Sequence, residues 1–153
     1  MVIFITLTTI IHGALFTYDE YVLNKRRNLS QKEIHSAVID GILFLATVSL
    51  TIFTTYSQMI GNLYILLAVL STLSIIKNEI FYENLERVER LVHAGLYVLH
   101  PLILYAFYVS WKMNFFATNL LYWMLQLCYL VLGFKAITYH IIYWNYIHKK
   151  DKK

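Results

Sequence analysis

The chain has 153 residues, of which 59% are hydrophobic and only 14% are charged. Soluble domains carry about 25% charged residues, so this composition, with a mean hydropathy of +0.56, excludes an ordinary water-soluble domain. The formal net charge is +4, but the basic residues lie at the ends of apolar segments and the sequence has no glycine-rich phosphate loop, which argues against nucleic-acid binding. With Cys128 as the single cysteine, an internal disulfide and a cysteine-rich metal site are also excluded.

Five apolar segments follow one another along the chain, and each is close to the ~20 residues that a helix needs to cross a bilayer. The first lacks the positive residues that begin a signal peptide. The sequence therefore predicts an all-α integral membrane bundle, a single domain of five transmembrane helices with spans at about 1–23, 36–56, 63–80, 91–111 and 118–147. Residues 78–90 are charged but contain no Gly or Pro, so we expect the helix to continue there beyond the membrane.

The basic residues predict how the bundle is oriented. Of 13 Lys and Arg residues, 11 fall on one side of the predicted membrane, in the loop at 25–32, in the segment 77–90 and in the tail. Lys112 lies on the other side, and Lys135 lies within the fifth span. By the positive-inside rule we expect the N-terminus outside and the C-terminus in the cytosol, in a bacterial inner membrane.

Acids and histidines gather in the half of the bundle that is nearest to the basic loops. Counting ~1.5 Å per residue, His12 and His100 lie roughly 15 Å deep, and the other candidates are shallower. His12 and Asp19 are seven residues apart, as are His93 and His100, so each pair shares a helix face. An ionisable group in a lipid-spanning helix is costly and usually faces a partner. We therefore expect one polar site built from His12, Asp19, Glu20, Asp40, Glu79, Glu89, His93 and His100.

Other charged residues have simpler explanations. Glu-to-Arg pairs four residues apart are typical of a solvated helix, and the chain has two of them, Glu83–Arg87 and Glu86–Arg90. His35 fits a helix entrance, and His140 fits a hydrogen bond to a neighbouring helix. His148 belongs to the solvated tail.

The polar elements H…DE, D-G, K-N-E and E-x3-H-A-x5-H-P resemble those of an uncharacterised family of small bacterial polytopic membrane proteins. The resemblance covers about two thirds of the chain, at His12, Asp19, Glu20, Asp40, Lys77, Asn78, Glu79, Glu89, His93, Ala94, His100 and Pro101. This chain departs from the family pattern K-D-E-W at Asn78 and Ile80. The resemblance implies that these positions act as a unit, and it implies no activity.

Imidazole and carboxylate ligands from several helices are typical of iron, manganese or zinc sites in helix bundles. The first hypothesis is therefore a membrane-embedded metal-binding protein and, if it is an enzyme, a di-metal oxidoreductase that acts on a lipid or quinone-like substrate from the bilayer. The Glu-x-x-His pattern of di-iron bundles is missing before His93, because Arg90 stands where the Glu would be.

Three alternatives stay open. A b-type haem between His12 and His100 would use small residues to admit the macrocycle (Gly13, Gly41, Gly95 and Gly133), but it leaves five carboxylates unexplained. A proton or metal-ion transporter would use the His and carboxylate groups as a relay, and with five helices it would require an oligomer. A membrane scaffold with a polar core would require no ligand.

Overall fold

The computed structural model describes residues 2–27, 29–78 and 85–147. Of these residues 92% are helical and none belongs to a β-strand, which confirms the all-α prediction. In chain order the α-helices are α1 (Val2–Tyr18), α2 (Asn24–Arg27), α3 (Gln31–Phe53), α4 (Gln58–Asn78), α5 (Arg87–Lys112), α6 (Phe115–Thr118) and α7 (Leu120–Tyr139). Two π-helical segments extend them: Asp19–Leu23 joins α1 to α2, and His140–Ile147 continues α7.

Four helices in the described part of the chain are long and apolar enough to cross a membrane: Gln31–Phe53, Gln58–Lys77, Arg87–Lys112 and Leu120–Trp144. They leave many large apolar side chains exposed, such as Leu66, Val98 and Phe134. An apolar surface of this extent is typical of a protein that faces lipid rather than water. The helix α1 has only 17 residues and is not among the four.

The second long helix begins at Gln31, earlier than the predicted span at 36, because Ser30 caps it. The Ser30 side chain accepts a hydrogen bond from the Glu33 backbone N–H (3.3 Å), and Glu33 Oε2 accepts one from the Ser30 N–H (2.6 Å). This reciprocal arrangement is a capping box, which satisfies two backbone donors that a helix start leaves without partners.

The expected helical continuation over 78–90 is wrong at Glu86. This residue has an extended backbone (φ −65°, ψ 160°), and α5 begins at Arg87. The Glu86 N–H donates to Glu89 Oε2 (3.0 Å) and the Arg90 N–H donates to the Glu86 carbonyl (3.0 Å), so Glu86 is the N-cap of α5. Residues 79–84, including Glu79 and Glu83, lie outside the described part of the chain.

The bundle divides into an aromatic half and a polar half. At the C-terminal end of α5, buried rings pack together, and polar groups among them bond to backbone: Tyr64 Oη donates to the Leu104 carbonyl (2.8 Å), and Trp111 Nε1 donates to the Thr54 carbonyl (2.8 Å). The helix α5 packs against α1, α3 and α4, and α3 also packs against α7. The two central helices, α3 and α5, therefore position the polar half as well.

Candidate functional site

A cavity of about 100 Å³ lies in the polar half of the bundle, where it borders the aromatic core through Phe44 and Tyr129. Its wall comes from the C-terminal ends of α1, α4 and α7 and from the N-terminal halves of α3 and α5. This alternation is what an up-and-down bundle produces, because neighbouring helices run in opposite directions. Six of the eight predicted site residues are in the wall: His12, Asp19, Glu20, Asp40, His93 and His100.

A first His–carboxylate pair joins the end of α1 to α5. His93 Nε2 lies 3.1 Å from Asp19 Oδ1, and both side chains are buried. An ionised carboxylate only accepts hydrogen bonds, so the Nε2–H donates to Asp19. The two residues are 74 positions apart in the sequence, and they meet because α1 packs along α5.

A second pair joins the same end of α1 to α7. His140 Nδ1 lies 2.9 Å from Glu20 Oε1 and 3.2 Å from the Ala136 carbonyl oxygen, so one ring nitrogen faces two acceptors. Both side chains are almost fully buried. The sequence suggested that His140 bonds to a neighbouring helix. Its partner is the Glu20 carboxylate, so the two residues form an ionisable pair in the wall of the cavity.

The π-helical segment Asp19–Leu23 is the local reason that the two carboxylates lie together. Its wider turn places Asp19, Glu20 and Asn24 on one face, with the Asn24 N–H bonded to the Asp19 carbonyl. The Asn24 amide nitrogen makes long contacts with Asp19 Oδ2 (3.5 Å) and Glu20 Oε2 (3.4 Å), which link the two pairs. Turns of π-helix inside α-helices are frequent at functional sites, and the second π-helical segment begins at His140 itself.

Among the described residues, Asp40 Oδ1, from α3, and His140 Nε2 are buried atoms of the wall that have no hydrogen-bond partner. A buried polar atom without a partner costs free energy. In native proteins such an atom indicates a bound water or ion, and this cavity has room for a few waters or one ion.

The charge of the wall is unbalanced. Its described residues include three carboxylates, Asp19, Glu20 and Asp40, and no lysine or arginine. Among the wall residues that the structure describes, only the histidines can become positive. Because a carboxylate removed from water is costly unless a cation neutralises it, protons on these groups or a metal ion would offset the imbalance.

A deeper layer contains His12 and His100, whose ring centroids are 5.9 Å apart. The Tyr129 hydroxyl donates to the Thr9 carbonyl (2.6 Å), so it accepts from His12 Nδ1 (3.1 Å). In a neutral imidazole this leaves His12 Nε2 as the nitrogen with a free electron pair. His100 Nε2 bonds to the Ser71 hydroxyl (2.9 Å).

Of the predicted site residues that the structure describes, one is not brought to the cavity. Glu89 is buried but lies outside the wall, where its carboxylate caps α5 through the Glu86 N–H. Glu79 lies outside the described residues. In this structure Glu89, one turn before His93, therefore caps the start of α5 and does not line the cavity.

The glycines that were expected to make room for a macrocycle are packed against neighbouring side chains. A Cβ atom at Gly41 would lie 2.9 Å from the Ile137 side chain, one at Gly133 would lie 2.5 Å from Leu45, and one at Gly95 would lie 2.9 Å from Leu15. Small residues at such positions allow membrane helices to approach closely. The cavity is also smaller than the ~300–1,000 Å³ typical of pockets for large ligands, so the geometry does not favour haem.

Sequence reasoning missed several residues that take part in the cavity. Asn24 carries a recognisable signal, because it follows Glu20 by four residues and Asp19 by five. His140 was expected to bond to a neighbouring helix but was not included in the predicted site. Tyr129 and Ser71 carry no signal, since single hydroxyl residues are ordinary in transmembrane segments and only packing assigns their partners.

Within residues 2–27, 29–78 and 85–147, no group of three or more His, Cys, Asp or Glu side chains is arranged to hold a metal ion. Comparisons with protein-family models, with curated proteins and with solved structures gave no match. The family resemblance of the polar motifs stays a prediction, and the function has to be argued from the cavity alone.

Proposed function

We propose that the cavity binds a transition-metal cation through its histidines and carboxylates. The observation that carries the proposal is the charge imbalance of the wall, which has three carboxylates, two of them buried (Asp19 and Glu20), and no lysine or arginine among its described residues. In addition, the buried atoms Asp40 Oδ1 and His140 Nε2 have no partner in the described part of the chain. A cation supplies what these atoms lack. Imidazole together with carboxylate suits iron, manganese or zinc.

The spacing within the two pairs is compatible with a metal ion. Ligand nitrogen and oxygen atoms lie ~2.0–2.2 Å from a zinc ion, so two ligands at a right angle are about 3 Å apart. His93 and Asp19 are 3.1 Å apart, and His140 and Glu20 are 2.9 Å apart. Without metal, a proton between the two side chains of each pair forms their hydrogen bond, and metal binding would release that proton.

Each pair supplies two ligand atoms, and a third ligand must move toward them to complete a metal site. Asp40 is the candidate, because its Oδ1 is buried at the cavity without a partner in the described part of the protein. Asn24, which contacts both carboxylates, would orient them as an outer-shell residue does in other metal sites. An oxidoreductase activity on a lipid or quinone-like substrate stays a prediction from residue type.

The test is elemental analysis of the detergent-purified full-length chain after exposure to iron, manganese or zinc. We expect on the order of one metal ion per chain, with a large loss in Asp19→Asn and in His140→Ala. His35→Ala is the matched control, because His35 is exposed and bonds to the Gln31 carbonyl of its own helix. A wild-type chain without metal, or equal metal content in all three variants, would refute the proposal.

A second candidate is a proton relay, and the deeper layer favours it. The contacts from Ser71 to His100 and from His12 to Tyr129 extend the polar path beyond the two pairs toward the aromatic half. Chains of His and carboxylate groups serve proton transfer in pumps and transporters. Proton uptake into proteoliposomes by a chain that binds no metal would favour the relay over the metal site.

We also propose that α1 is a fifth span and that the N-terminus is outside. Together α1, Asp19–Leu23 and α2 form a helical stretch from residue 2 to residue 27, longer than the ~20 residues a span requires. The helix packs along α5 and ends at the basic residues Lys25, Arg26 and Arg27. With five spans and the basic loops in the cytosol, the cavity opens toward the cytosolic half, and a bacterial inner membrane stays the expected location.

A further inference from the structure

Lys135 is a charged residue that lies within a candidate membrane span but does not line the cavity. It lies inside the span Leu120–Trp144, its side chain is exposed, and its Nζ lies 5.3 Å from the centroid of the Tyr21 ring. Within the described part of the chain it forms no ion pair. A lysine within a membrane span requires an anion or access to the interface.

The contact with Tyr21 indicates where the Lys135 side chain lies relative to the expected membrane boundary. Tyr21 is four residues before Lys25, in the part of the chain where the aromatic and basic residues of the predicted boundary begin. We therefore expect the ammonium group near the depth of lipid phosphates, with its Cα deeper in α7. Long lysine side chains commonly extend in this way.

Tyrosines surround this position on the seam between α1 and α7. The rings of Tyr21 and Tyr139 have centroids 5.2 Å apart, and Tyr139 stacks on Tyr143 at 4.8 Å. Tyr21, Tyr139 and Tyr143 are only partly buried. The seam thus offers one ammonium group and nearby phenol groups at its surface, and Ala136, next to Lys135, lines the cavity behind it.

We propose that this seam binds an anionic phospholipid, with its phosphate at Lys135 and its acyl chains along α7. The ammonium and phenol groups suit a phosphate, because all of them donate hydrogen bonds and one is positive. Val131 and Leu127, one and two turns before Lys135, are exposed and apolar and provide the surface for the chains. A zwitterionic lipid lacks the net negative charge that balances Lys135.

The lipid site goes beyond the proposed metal site and does not depend on it. Metal analysis tests one proposal and lipid binding tests the other, so either can fail alone.

The experiment is native mass spectrometry of the full-length chain in detergent, titrated with phosphatidylglycerol or phosphatidylcholine. We expect the wild type to bind phosphatidylglycerol more tightly, and Lys135→Gln to weaken that binding about fivefold, the usual effect of one basic residue at an anionic membrane surface. Lys135→Arg should retain it. Metal content should be unchanged in both variants.

Lys112→Gln is the matched control, since Lys112 Nζ also lies over a tyrosine ring, 5.7 Å from the centroid of Tyr56, at the opposite end of the bundle. Its binding of phosphatidylglycerol should equal that of the wild type. Equal loss in the Lys112 and Lys135 variants would mean that the lipid responds to net charge alone and would overturn the site. Equal binding of the two lipids by the wild type would overturn it directly, without any variant.

Discussion

Two tyrosines of α7 allow a sharp test of the hydrogen bonds at the cavity. Tyr122 and Tyr129 are both buried, with 2% and 6% of their surfaces exposed. The Tyr129 hydroxyl bonds to His12 and to the Thr9 carbonyl, whereas the Tyr122 hydroxyl is buried without a hydrogen-bond partner among the described residues. Replacing each by Phe removes one oxygen atom from the same helix, but only one change removes hydrogen bonds.

The expected difference follows from the number of bonds. Hydrogen bonds between membrane helices are worth about 0.6 kcal/mol on average and reach about 1.7 kcal/mol. Tyr129→Phe loses two bonds and leaves His12 Nδ1 without its partner, so the free energy of unfolding should fall by about 1–2 kcal/mol. Tyr122→Phe removes a desolvated hydroxyl, so we expect no loss beyond about 0.5 kcal/mol, or a small gain.

The measurement is equilibrium unfolding in mixed micelles of increasing dodecyl sulfate fraction, followed by far-ultraviolet circular dichroism. Wild type and both variants are compared at the same protein concentration. Equal destabilisation by the two substitutions, or a larger effect at Tyr122, would show that the Tyr129 bonds to α1 do not stabilise the bundle. The link between α1 and α7 would then need another explanation.

Three further predictions concern the start of α3, the start of α5 and the topology of the chain. Ser30→Ala should lower the free energy of unfolding by about 1 kcal/mol, because the capping box at α3 is lost; an unchanged unfolding curve would show that the cap contributes nothing. Glu89→Gln should leave metal content at the wild-type level, since the Gln oxygen can still accept the Glu86 N–H, and a loss as large as that in Asp19→Asn would make Glu89 a ligand. Reporter fusions at the two ends should report opposite sides of the membrane, and the same side for both would exclude five spans.

The sequence by itself determined the helical class, the membrane environment and the half of the bundle in which the polar groups gather. These properties depend on local composition: an apolar run near ~20 residues has to satisfy its backbone as helix in lipid, and residues seven apart share a face. His12 and His100 meet for this reason, since their depths follow from counting along each helix. The Ser30–Glu33 capping box is also visible as a sequence pattern, and this pattern predicts the start of α3.

Only the tertiary structure decided which groups are partners. Asp19 pairs with a histidine 74 residues away and Tyr129 with one 117 residues away, and no pattern within one helix specifies such contacts. Glu89 seemed a site residue because no basic residue lies four positions away, yet the non-helical backbone at Glu86 uses it as a cap. His140 was expected to bond to a neighbouring helix, and only the packing of α7 beside Glu20 shows that its partner is a carboxylate. Packing decides these roles because an ionisable side chain in a bundle takes whichever partner the neighbouring helix brings within about 3 Å.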